Sequence, residues 1–225
     1  MSTLRQRKEI QIIILVILGC TIMGLVESIL KPGYFYKSII KMVTFFSCFL
    51  IFKAINRTPL LIFKIDDKKQ LLISLLIGLV VYGIILSGYF IFKDLIDFNN
   101  ITNNLLEKEN ITKNNFIYVS VYISIVNSFI EELFFRGFAF IELKKYLKTT
   151  FAYLISAIFF AIYHIFIIFS WFSLPFFILL FISLIIAGII FNYFDRKGSI
   201  YHSWIIHICA NLSINTIGII MFYFI

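Results

Sequence analysis

The chain has 225 residues, of which 61% are apolar and 14% charged. Globular domains run at about half apolar and a quarter charged, so this composition is too apolar for a water-facing surface and excludes a soluble enzyme, a DNA-binding module and a disordered chain. The net charge of +8 reads as the Lys and Arg bias of loops facing an anionic cytoplasmic leaflet, and no nucleic-acid partner is expected.

A spanning helix needs about 20 mostly apolar residues, and seven stretches qualify. In chain order they cover about Ile10 to Leu30, Ser38 to Ile55, Leu71 to Phe92, and Phe116 to a point between Gly137 and Leu143. Then come Thr150 to Phe169, Leu174 to Phe194 and Ile200 to Phe224. The first is too long for the apolar core of a signal peptide, and no small-x-small cleavage pattern follows it. Pro32, Pro59 and Pro175 fall at span edges, and the widest polar gap runs from Lys93 to Asn115. Cys20, Cys48 and Cys209 lie in apolar runs without a Cys-x-x-Cys pair, so they read as small hydrophobes in helices. The expected fold is an all-α polytopic membrane protein of about seven transmembrane helices, with no repeat of fixed period.

Lys and Arg set the orientation. They crowd the segments before the first span and after the second, fourth and sixth, with Lys53, Arg57, Lys64, Lys68 and Lys69 the densest group. Fewer lie on the other side, at Lys31, Lys37, Lys93, Lys108 and Lys113. The N-terminus is therefore expected in the cytoplasm. The Asn-x-Thr sequons at Asn100 and Asn110 then fall outside, and Lys41 and Arg136 remain within spans.

Ionisable groups inside a bilayer are costly and by default mark function. Glu27, near the outer end of the first span, reads as an interfacial residue that snorkels to water. The others lie in the last four spans: Glu131, Glu132, Arg136, His164, His207 and, near an end, His202. Glu132 and Arg136 are four apart and share a helix face. Glu131 is turned about 100° away, with no partner expected on its own helix. His207 and Asn211 also share a face. At 1.5 Å per residue, Glu131 lies about 20 Å from Lys144 and His164 about 24 Å from Lys148. His207 and Asn211 lie about 15 and 21 Å from Lys197. Helices of alternating direction thus bring these groups to one level near mid-bilayer, read as one site opening to the cytoplasmic side through a wet cavity.

A glutamate, two histidines and an asparagine at one level suit water activation. Glu131 would take a proton from water held in line by His164, while His207 and Asn211 would donate to the oxyanion formed on an amide carbonyl. The spacing equally admits a divalent metal such as zinc on Glu131, His164 and His207, generating hydroxide. A His-Glu-x-x-His zincin site and a Gly-x-Ser-Gly serine motif are both missing, and Asp195 stands at a span end. These absences turn the reading away from helix-borne zincin, serine and two-aspartate membrane proteases.

At these residues the chain resembles a known family. Glu131-Glu132-x-x-x-Arg136, Phe160-x-x-x-His164 and His207-x-x-x-Asn211 follow in order on successive polar spans, similar to the type II CAAX prenyl endopeptidase and bacteriocin-processing family. Gly198-Ser199 is similar to the lead-in of its last motif, with Lys197 where Thr is common. The resemblance covers roughly Asn115 to Asn211, which divides the chain into a three-helix membrane region, 1–114, and a protease-like core, 115–225. It implies an intramembrane endopeptidase with a cone-shaped cavity, a catalytic core in the last four helices, and Glu132, Arg136 and Phe160 in support of Glu131, His164, His207 and Asn211. The family is described both as metalloproteases and as metal-free glutamate proteases, and the metal-free form is the expectation here. The partner implied is a peptide or membrane-protein substrate, met in the lipid bilayer. Richness in Ile, Phe, Lys and Asn fits an AT-rich bacterial genome, hence a multi-pass protein of a bacterial plasma membrane that matures a secreted peptide or confers bacteriocin immunity. The competing readings are a catalytically silent scaffold or immunity protein and a small transporter, for which no inverted repeat is seen.

Overall fold

The computed structural model describes residues 3–57, 63, 68–169 and 171–224. Pro59 and Lys64, used above for a span edge and for orientation, lie outside the described residues. Without water to satisfy backbone groups, only helices cross hydrocarbon as single segments. Among the described residues seven helices are long and apolar enough to do so: α1 (Thr3–Leu30), α2 (Tyr34–Asn56), α3 (Lys68–Leu95), α4 (Phe116–Lys145), α5 (Thr149–Ile168), α6 (Leu174–Asp195) and α7 (Tyr201–Tyr223). The protein is a multi-pass, all-α membrane protein. Helix α1 starts earlier than hydropathy alone indicates, because its polar first turns continue the helix.

Helix ends follow local chemistry. Lys31 and Arg57 terminate α1 and α2 in the left-handed region, at φ 46° and 49°, with Pro32 directly after the first. Pro175 lies in the first turn of α6, where its missing N–H costs nothing. The wide polar gap before α4 is not a plain loop. It forms short helical turns, Phe98–Asn103 and Asn104–Lys108, the first capped by Asp97, whose side chain accepts from the Asn100 N–H.

Helix α4 lies at the centre, touching α1, α2, α5, α6 and α7. Its aromatic run makes the core: Phe134 stacks on Phe45 at 4.0 Å, and Phe138 meets Phe49 and Phe52. Helix α3 packs along α7, and α6 along α5. The C-terminal end of α1 and the N-terminal end of α2 are tied by Lys37, whose ammonium donates to Glu27 and to Glu109 of the polar segment, both at 2.6 Å. Glu27 therefore does not snorkel to water as expected. Its side chain is 9% exposed and holds an ion pair, because an ammonium on the next helix is a better partner than a distant interface. The three cysteines are buried and free.

Candidate active site

Helix α4 changes pitch where its carboxylates sit. Ser128–Glu132 is a single α-helical stretch between two wider π-helical segments, Ile123–Asn127 and Leu133–Glu142. Such widened turns often accompany functional sites. Glu131 and Glu132, adjacent in sequence, point to different neighbours.

Glu131 is 2% exposed, and its two oxygens have different surroundings. Oε1 accepts from Lys41 Nζ at 2.9 Å, Asn127 Nδ2 at 2.9 Å and the Tyr163 hydroxyl at 3.1 Å. Oε2 faces two imidazoles, 3.6 Å from His164 Nε2 and 3.8 Å from His207 Nε2. Three groups singled out from sequence are thus brought together from α4, α5 and α7. The expectation that Glu131 lacks a partner on its own helix is corrected: Asn127, one turn earlier, donates to it.

Each imidazole is oriented by the nitrogen facing away from Glu131. His164 Nδ1 lies 2.8 Å from the Phe160 carbonyl. A carbonyl only accepts, so Nδ1 carries the proton, and in the neutral ring Nε2 presents a lone pair. His207 Nδ1 lies 2.7 Å from Glu132 Oε1, the carboxylate–imidazole pairing that stabilises an imidazolium when one forms. Glu132 is also the partner of Arg136. Its Oε2 is 3.0 Å from Nε, close enough for an ion pair though not aligned as a hydrogen bond. The fully buried Arg136 guanidinium is clasped between the Phe160 and Phe191 rings at 4.2 and 4.9 Å. Phe160 meets the His164 ring at 4.4 Å as well.

Asn211 is buried one turn beyond His207, but its amide donates to the Ile123 carbonyl at 3.2 Å and not to Glu131. His202 is drawn away from the site and lies 3.3 Å from the Ser74 hydroxyl on α3. The lead-in to α7 acquires a physical reading. Gly198 has φ 103°, a conformation side chains rarely adopt. The turn it allows brings the Asp195 carboxylate onto the Ser203 N–H at 3.1 Å, capping the helix that carries His207.

Lys41, Asn127, Tyr163 and Phe191 had no assigned role in the sequence reading. The signal for Lys41 was present: a cation inside an apolar span needs an anion, and Glu131 was a carboxylate without a cation. Two cavities, of about 280 and 190 Å³, lie elsewhere: one near Asp97, Asn100 and Trp171, the other between α1 and α2. Neither is the wet cavity expected around the site, whose most open side chain is His164, 18% exposed.

Among the described residues no group of three or more His, Cys, Asp or Glu side chains is arranged to hold a metal ion. The Lys41 ammonium on Glu131 also adds a positive charge beside the place a divalent ion would occupy. These residues do not fit a zinc centre.

No curated protein and no solved structure matches the chain. Residues 113–213 match the family model described as type II CAAX prenyl endopeptidase Rce1-like. That stretch begins just ahead of α4 and ends beyond Asn211, so it takes in all three motifs, and over these residues the chain is similar to the type II CAAX prenyl endopeptidase Rce1-like family.

Proposed function

We propose that the protein is an intramembrane endopeptidase that cleaves a peptide bond of a membrane-associated or secreted peptide with water activated by Glu131 and His164. One observation carries this reading. Among the described residues no donor is hydrogen-bonded to Glu131 Oε2, which faces two Nε2 atoms at 3.6 and 3.8 Å, separations too long for direct hydrogen bonds that one water lying beside the three atoms would bridge. That water gives one proton to Glu131 Oε2 and turns the other to the lone pair on His164 Nε2, so its oxygen points at the scissile carbonyl. As the tetrahedral oxyanion forms, an imidazolium at His207, held by Glu132, donates through Nε2–H, and the second amide proton of Asn211 adds a donor. Glu131 then passes its proton to the leaving amine. No covalent intermediate forms.

The setting we propose is a bacterial plasma membrane, N-terminus inside, with peptide maturation or bacteriocin self-immunity as the role. Proteoliposomes test the chemistry with two quenched fluorogenic probes: a farnesylated Cys-aliphatic-aliphatic-X peptide and an unprenylated apolar peptide. Cleavage of the unprenylated probe in heavy-oxygen water should place one label in the new carboxyl group. Glu131→Gln should lower kcat by roughly 10²- to 10⁴-fold, the range for a positioned general base. Undiminished cleavage by both Glu131→Gln and His164→Ala would overturn the mechanism.

A further inference from the structure

Lys41 belongs to α2, outside the family-matched residues 113–213, yet it ends in the middle of the site. It is 6% exposed. Its ammonium donates to Asn127 Oδ1 at 2.6 Å and Glu131 Oε1 at 2.9 Å, and it stands 5.1 Å from the centre of the Tyr163 ring. Asn127 in turn donates to the same Glu131 oxygen, closing a ring of three side chains from two helices. A buried ammonium persists in hydrocarbon only when paired and hydrogen-bonded, and the same holds for the carboxylate it meets. The pairing is also directional. All three donors to Glu131 converge on Oε1, so the carboxylate is fixed in rotation and Oε2 is kept for the gap between the imidazoles.

We propose that Lys41 is a positioning residue of the hydrolytic site: its ammonium holds Glu131 as an anion with Oε1 anchored and Oε2 turned toward His164 and His207. The first half of the chain then completes a site that the family-matched half cannot assemble alone. This rests on Glu131 acting as the base. A purely structural tie between α2 and α4 would need the same contact but would leave turnover untouched in a folded variant.

Two readouts on proteoliposomes separate these cases. Dicyclohexylcarbodiimide enters membranes and adds to a carboxyl group only in its protonated form. Glu131 should resist it in the wild type and in Lys41→Arg, and should be labelled in Lys41→Met, with the adduct located by peptide mass spectrometry. Equal labelling of Glu131 in the wild type and Lys41→Met would overturn the proposal. With either fluorogenic probe, Lys41→Met should lower kcat by about 10- to 100-fold at unchanged KM, and Lys41→Arg should recover part of the loss. A raised KM at unchanged kcat would assign Lys41 to binding or packing instead. If the wild type cleaves neither probe, it is the hydrolytic reading that fails, and labelling still decides whether Lys41 holds the anion. If Lys41→Met does not fold, the double variant Lys41→Met/Glu131→Gln should, since no charge is left unpaired. Misfolding of both would reduce Lys41 to a packing element.

Discussion

Arg136 shows how one residue is held in a place where acceptors are scarce. It is fully buried, and both terminal nitrogens lack hydrogen-bond partners among the described residues. Aromatic faces take their place: the Phe160 ring lies under the guanidinium and against the His164 ring at once. That explains why a phenylalanine stands one turn before the histidine, a spacing that is visible in the sequence but whose purpose is not. Arg136→Ala leaves Glu132 without its cation and should destabilise the fold by about 3–5 kcal/mol, the cost of breaking a buried pair by removing one partner. Thermal unfolding in detergent measures it. Phe160→Leu keeps the volume roughly but loses the ring face, and should cost about 1–2 kcal/mol. Cleavage should persist in excess chelator, because the Glu131 oxygen nearest α2 already carries an ammonium. A chelator-sensitive activity restored by zinc would reverse that conclusion.

At the scale of elements, the spans were legible because hydrocarbon thickness imposes a minimum apolar length. Their faces were not. Helix α6 is apolar nearly all round, and three of the four residues in its buried stripe, Gly188, Asn192 and Asp195, are small or polar, with Phe191 the exception. In lipid the outer face is as apolar as the core, so small and polar residues mark the packed side. Gly188 is the sharpest case. A Cβ there would come within 2.8 Å of the Ala157 Cα on α5, and backbone cannot move aside as a flexible side chain can. Gly188→Leu should therefore destabilise the protein by about 1–3 kcal/mol, displace Phe191 from Arg136 and lower cleavage. Gly83→Leu on α3, with nothing within 4 Å of its Cβ, should stay within about 0.5 kcal/mol. Denaturation of the two variants side by side gives the contrast.

At the scale of the whole molecule, orientation is the open prediction. The native cysteines are all buried, which gives a quiet background for thiol labelling. With the N-terminus inside, a membrane-impermeant maleimide added to intact cells should label Glu107→Cys and spare Gln6→Cys, and lysis should expose the second. The reverse pattern would invert the topology and with it the side from which His164 is reached.

The number of spanning helices, and the presence of Glu131, Glu132, Arg136, His164, His207 and Asn211 within such helices, could be read from the chain alone. Those follow from the free energy of placing each residue in hydrocarbon, a property of the local chain. Which helices become neighbours is fixed by packing, and with it that Lys41 closes on Glu131, Lys37 on Glu27 and Glu109, and His202 turns to Ser74. The reason is physical: an apolar helix presents lipid-like surface on every side, so nothing in its own periodicity states which partner it will face, and the buried charges find one another only once the bundle is assembled.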